Sequence, residues 1–347
     1  MGGPRRAHWL EPAAAYVGAV VGAGFASGRE VLHFFGRYGG LGVAGAVLAG
    51  LAFAVCGAAA LGAAAVSRPR HYGELLRTLC GTRLGGALDH LSVLGLFVAQ
   101  VVVVAGGGAL MTHVLGWPSE IGTVAFACIL AAAALPGRTG LRLGNFLLVP
   151  IIVLAILLAA AARLPVLVER GALLTGRPGW AGAALLYVSY NLLLGLSSLC
   201  VALPEGISRP SAATAGLAGG AALGVLCVAS TLAVLAAPGA FHAALPLGIV
   251  IGGAWWRLFA YPALLGAALW TTGSATAVAL GQRLAPTRPG PAAAGVCVAA
   301  IPAGFAGLVP LVAIAYPVLG YLGMPVAVGA VGWMVRRWWA ARGMRRT

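Results

Sequence analysis

Few side chains in this sequence could do chemistry, and most of them gather at two places. The first is Tyr16 to Phe35, YVGAVVGAGFASGREVLHFF, where Gly18, Gly22, Gly24 and Gly28 fall within eleven residues alongside Ser27 and Glu30. The second is YVSYNLLLGLSSL, which carries Ser189, Tyr190 and Asn191 and then Gly195, Ser197 and Ser198. Gln100 is a lone amide inside a further apolar run. None of these sets brings an acid, a base and a nucleophile together, so the chemistry they suit is binding rather than reaction. Each glycine inside a helix costs about 1 kcal/mol relative to alanine, so a cluster invites local unwinding. Unwound backbone offers carbonyls and amides that can hold an ion or a solute. Close helix packing is the competing account, since small residues four apart let helices approach and the chain has 53 glycines.

The elements that would position these residues follow from composition. Of 347 residues, 61% are hydrophobic and 8% charged, where a soluble domain carries about 25% charged. Such a chain cannot cover a globular surface with groups that water tolerates, which implies an all-α polytopic membrane protein. The 22 basic residues are all arginine and outnumber seven carboxylates, giving a net charge of +15. They form short clusters between apolar runs rather than a stripe interleaved with aromatics, so membrane topology and not a nucleic-acid partner accounts for the charge. The six cysteines stand singly, with no C-x-x-C pair and no zinc spacing.

A helix crossing about 30 Å of hydrocarbon needs roughly 20 apolar residues. Ten spans are predicted near 12–36, 41–66, 90–115, 120–136, 143–162, 180–204, 212–236, 256–282, 291–309 and 311–335. The stretch from Pro238 to Trp256 is expected to lie over the protein as a short helical cap. With the N-terminus inside, sixteen arginines fall in cytoplasmic segments and four (Arg37, Arg163, Arg170 and Arg177) outside. That asymmetry predicts both termini in the cytoplasm of a bacterial inner (plasma) membrane. Arg5 and Arg6 followed by an apolar run imitate a secretory leader, but Glu11-Pro12 interrupts the join, so cleavage is not expected.

One integral membrane domain is therefore expected over 1–347, with halves at 12–163 and 180–336. Each half opens with a polar, glycine-containing stretch, the pattern of paired broken helices in inverted repeats. A break at mid-membrane persists only where it lines a site or cavity. Glu30, well inside the first broken segment, is a candidate proton site or a gate partner for an arginine such as Arg257. The competing reading leaves it with Arg29 on the outer vestibule.

The stretch 16–35 resembles the first helix of the YkvI-like bacterial membrane proteins. These look related to the amino acid–polyamine–cation superfamily, with the five-plus-five inverted repeat of the leucine transporter and broken first and sixth helices. The resemblance implies a substrate site beside both breaks, formed here by Gly22, Gly24, Phe25, Ala26, Ser27 and Gly28 with Ser189, Tyr190 and Asn191. The third helix and Gln100 would form its wall. It also implies a sodium site between the first break and the eighth helix. Gly18 and Val21 match the first-helix pattern, and Ala268, Thr271 and Thr272 match the eighth. Neutral carbonyl and hydroxyl oxygens suit a hard cation, while threonines that back-bond to their own helix are the plainer reading.

The resulting expectation is a secondary transporter of a small solute, an amino acid or related zwitterion, with sodium or proton coupling and no cofactor besides that ion. Lipid and the small solute are the expected partners, with no nucleic acid. No G-x-x-x-x-G-K-[ST] motif provides for ATP, and nothing provides for an enzyme. The alternatives are a transporter-like sensor or assembly protein that binds without moving its ligand, and a channel.

Overall fold

A computed structural model describes residues 9–69, 71–135, 150–151, 153–158, 160–163, 165, 176–204, 206–250 and 255–343. The side chains of Ala23, Ser197 to Ala202, Pro238, Arg257, Leu258 and residues 341–343 also lie outside the described set.

The first span is three helices in series, α1 (Leu10–Val20), α2 (Ala23–Ser27) and α3 (Arg29–Phe34). Next come α4 (Gly40–Ser67), a short amphipathic α5 (Tyr72–Cys80), α6 (Thr82–Leu115) and α7 (Ser119–Ala134). The fifth predicted span, 143–162, has its first seven residues and two later ones outside the described set, and most of its described part belongs to α8 (Val153–Arg163). The second half holds α9 (Trp180–Ala202), α10 (Arg209–Leu235), α11 (Pro246–Val250), α12 (Tyr261–Leu284), α13 (Pro289–Ala299), α14 (Ile301–Gly304) and α15 (Leu308–Gly343). Five of these helices, α4, α6, α10, α12 and α15, are long and apolar enough to cross a membrane. The shorter apolar helices and the broken first span complete the ten positions read from sequence.

Glycines set how closely the helices pair. Gly50 and Gly224 approach backbone to backbone, a Cβ on Gly220 would overlap the backbone of Ala54, and one on Gly216 would overlap that of Gly57 and Ala58. The three pairs share one register, so α4 and α10 run antiparallel. These are the second and seventh spans, the relation an inverted repeat requires. By contrast α9 and α15 run parallel, with Gly320 against Leu186 and Gly323 against Ser189.

Three departures from the sequence reading stand out. First, α6 starts at Thr82 rather than near 90 and is preceded by α5, which buries Tyr72, Leu75, Leu76 and Leu79 on one face. Second, the last helix continues for 36 residues through Pro317 and Pro325. Third, the interruption expected near 189–195 is absent, because α9 is helical from Trp180 to Ala202. Ser189 Oγ donates to Leu185 O at 2.7 Å and Asn191 Nδ2 to Tyr187 O at 2.9 Å, so these polar groups are satisfied within their own helix. Gly195 stays within the helix beside α1, where a Cβ would make an ordinary 3.5 Å contact with Ala19. The chain leaves helix only at Leu203, before Pro204, where the residue preceding a proline is pushed to extended geometry.

The expected cap is helical in its described part, with 251–254 outside the described residues. Pro238–His242 form a 3-10 turn and α11 follows, with Arg29 Nη1 donating to Ala243 O at 3.3 Å. A π-helical turn, Trp256–Ala260, leads into α12.

Candidate functional site

The first span breaks where the glycines fall. Val21 takes φ −76 and ψ 71, and Gly22 is extended. The Gly22 amide donates to Val20 O at 2.8 Å instead of reaching back four residues to Gly18 O. The helical ladder resumes with Ala26 N donating to Gly22 O at 3.0 Å. Gly18 O thus loses its helical partner, and the Val21 carbonyl falls in the gap between two ladders. Buried carbonyls released in this way call for a replacement partner.

Facing the gap is α12. A Cβ on Gly22 would stand 3.2 Å from Thr272 Oγ1, so that hydroxyl lies against the break. Thr271 donates to Ala268 O at 3.1 Å. Of the five oxygens implied as a cation site, Gly18 O and Val21 O are released by the break, and the Thr272 hydroxyl lies against Gly22. The Ala268 carbonyl and the Thr271 hydroxyl are engaged with each other. The donor chemistry fits a hard cation, with Thr271 having to turn away from Ala268 to complete it.

A second discontinuity follows six residues on. Gly28 has φ 77, a left-handed conformation that side chains rarely adopt, and its missing Cβ leaves room for Leu247 of the cap. Ser27 Oγ donates to Gly24 O at 2.7 Å and accepts from Arg29 N at 3.1 Å, tying α2 to α3 across this joint. Tyr261 of α12 donates to Ser27 O at 3.3 Å. Phe25 is fully buried, and Ala26 borders a cavity of about 20 Å³ with Leu247, Trp256 and Tyr261. That volume suits about one water molecule and no larger solute.

The joint at Gly28 directs Glu30 back over the break. Its carboxylate fills the place a Cβ on Gly24 would occupy, and Glu30 is 5% exposed. Tyr190 of α9 donates to Glu30 Oε2 at 2.5 Å, and the Tyr316 hydroxyl of α15 faces the same carboxylate. The two rings stack 4.7 Å apart with 16° between their planes. Phe34 and Tyr187 pack on this pair with centroids 5.4 to 5.6 Å apart. A buried carboxylate is thereby held by the Tyr190 hydroxyl of α9, whose ring is backed by Tyr316 of α15.

Glu30, Gly24 and Tyr190 are thus brought together, as are Gly22 and Thr272. Asn191 and Ser189 instead turn into α9. Gln100 is fully buried and donates to Cys297 Sγ of α13 at 3.4 Å, which stitches the third span to the ninth. Tyr316 was not singled out by its sequence context, IAYPVLGYL. The available signal was Pro317 inside an apolar run, which marks a non-uniform helix. The Arg257 side chain, expected as a gate partner, lies outside the described residues, and Arg29 reaches the cap.

With this geometry in view, the solved structures most informative for comparison are transporters. The inward-facing conformation of Mhp1 matches with a TM-score of 0.65 and 15% identity over 93% of this chain and 75% of that one. MhsT in complex with L-phenylalanine matches with a TM-score of 0.64 and 17% identity over 92% and 87%. A manganese transporter of Eremococcus coleocola matches with a TM-score of 0.56 over 96% and 78%. The architecture is the leucine-transporter fold. In sequence, the chain is 28% identical over 242 residues to the uncharacterized membrane protein YkvI of Bacillus subtilis, covering 68% of this chain and 69% of YkvI. It is 26% identical over 271 residues to the uncharacterized protein YyaD of the same organism, covering 77% and 79%. No protein-family model matches the chain. In sequence the likeness is to the YkvI-like membrane proteins, in fold it is to the leucine-transporter structures, and the chain is a multi-pass membrane protein.

Proposed function

We propose that this protein is a secondary active transporter of a small solute, an amino acid or related zwitterion, working by alternating access with sodium or a proton as the coupling ion. The reading rests on the break at Val21–Gly22. Main chain that stops bonding to itself inside a membrane is tolerated where it lines a binding site. Here the break faces Thr272 on one side and, through Gly24 and Glu30, Tyr190 on the other. Gly18, Val21 and Thr272, joined by Ala268 and Thr271 after a rotamer change, would hold a sodium ion. The ion would replace the partners that the unwound carbonyls lack, and its binding would bias the first span toward one arrangement.

In this reading the small cavity beside Ala26 belongs to a closed state, and solute enters as α2 and α3 move relative to α9 and α12. The backbone from Gly22 to Gly28 is the substrate-facing surface, with Tyr190 opposite. Ser189, Asn191 and Gln100 support the helices around it.

The deciding experiment is counterflow in proteoliposomes, using a panel of labelled amino acids with and without sodium and proton gradients. Saturable exchange that accumulates label against its gradient supports the carrier. Binding in the absence of flux replaces it with a sensor, and fluxes far beyond carrier turnover replace it with a channel.

A further inference from the structure

Glu30 is a carboxylate enclosed by protein on every described side. Gly24 gives up its Cβ volume to one oxygen, and Tyr190 donates to the other. Stacked Tyr190 and Tyr316 close the site from α9 and α15. Among the described residues Glu30 has no ion-pair partner. The adjacent Arg29 is drawn to Ala243 O on the cap, and His33 packs edge-on against Phe34 with centroids 5.0 Å apart. The remaining titratable groups that face it are Tyr187 of α9 and Cys227 of α10, neither a cation at neutral pH.

Within a membrane, an ionised side chain so enclosed is costly unless something neutralises it. A metal ion or an organic amine at the carboxylate would have to displace the Tyr190 hydroxyl from Oε2 or the Gly24 backbone from Oε1. A proton displaces neither.

We infer that Glu30 is a proton-carrying residue of this transporter, loaded from water on one side of the membrane and unloaded on the other, with Tyr190 and Tyr316 as its positioning residues. The inference rests on the carrier reading above and specifies its coupling ion.

The step balances simply. The carboxylate takes one proton when α3 swings it toward water and becomes a neutral carboxyl group. In the enclosed state a tyrosine hydroxyl turns from donor to acceptor for the new O–H. Opening to the opposite side returns that proton to water. No covalent bond besides O–H forms or breaks. Gly24 lets the carboxyl lie flat on the broken segment, so loading Glu30 and closing α2 against α9 are one event.

Two measurements on the full chain test this. In nanodiscs, infrared difference spectra between acidic and alkaline buffer should show a protonated-carboxyl C=O band that is lost in Glu30→Gln and shifted in Tyr190→Phe and Tyr316→Phe. In proteoliposomes with a labelled amino-acid mixture, an inward proton gradient should drive accumulation, and the ratio of accumulation to exchange should collapse in Glu30→Gln. A wild-type spectrum with no such band, or gradient-driven accumulation retained by Glu30→Gln, overturns the inference. Absence of any exchange by the wild type would instead overturn the carrier reading, and the infrared band would still judge whether Glu30 takes up the proton.

Discussion

Gly24 and Glu30 share one volume: the carboxylate occupies the space in which any other residue at 24 would place its Cβ. Gly24 lies inside α2 without a positive φ, so its reason for being glycine is contact and not backbone conformation. Gly24→Ala must expel the carboxylate or push α2 aside, at a cost of about 1–3 kcal/mol for overpacking. In the Glu30→Ala background the same change should cost less, because the clashing group is gone. Thermal unfolding of the four proteins of this cycle in detergent gives the coupling. Strict additivity would mean that the two residues do not touch.

The hydroxyls of Thr271 and Thr272 should behave differently despite being neighbours. Thr272 Oγ1 lies against the break at Gly22, whereas Thr271 bonds to Ala268 O within its own helix. If sodium binds there, Thr272→Ala should abolish the rise in melting temperature that added sodium produces, since ligand binding stabilises by mass action. Thr271→Ala should weaken that rise but not remove it. Equal sodium responses in the wild type and Thr272→Ala would rule out this cation site.

Much of this arrangement could be read from residue types. The first-span break was legible because four glycines in eleven residues leave few other structures open. The ten spans followed from apolar run length, and α4 pairs with α10 as an inverted repeat demands. The sixth span misled for a physical reason. Ser189 and Asn191 are polar and sit near Gly195, but short polar side chains can bond to the carbonyl four residues back and leave the helix whole. Sequence cannot distinguish that from a break, nor a glycine that opens a helix from one, like Gly195, that sits in it unbroken. Gln100 was similarly ambiguous, because its partner Cys297 lies 197 residues away. Tyr316 was missed because an aromatic residue in an apolar helix carries no local sign of the carboxylate it will face.

Asp89 anchors one end of the bundle, and its two arginines should matter unequally. Arg283 of α12 pairs directly with Asp89 and also donates to Ser92 Oγ at 3.2 Å. Arg77 of α5 stands 3.8 Å from Asp89 with 42% of its side chain exposed. Removing Arg283 leaves a largely buried carboxylate without its close partner. The expected loss is about 1–3 kcal/mol, less than for a fully buried pair because Arg283 keeps 30% side-chain exposure. Arg77→Ala should cost under about 1 kcal/mol, as for an exposed pair. Unfolding of both variants in the same detergent checks this, and an Arg77→Ala loss equal to that of Arg283→Ala would contradict the assignment of Arg283 as principal partner.

Glycines of this chain should divide into those that hold helices together and those that do not. At Gly220 a Cβ would overlap the backbone of Ala54, which has no rotamer by which to escape. Gly220→Ala must therefore separate α10 from α4 along a contact that includes Gly50 with Gly224 and Gly216 with Gly57. Close backbone approach of this kind is a main source of cohesion between helices in lipid, where no hydrophobic force draws them together. The expected loss is about 1–3 kcal/mol, and Gly220→Val should be worse. Gly295 of α13 has nothing within 4 Å of its would-be Cβ, so Gly295→Ala should be neutral or stabilise by up to about 1 kcal/mol through helix propensity. Thermal unfolding of this pair separates packing from composition: if both substitutions cost the same, the α4–α10 contact is not what holds the second and seventh spans together.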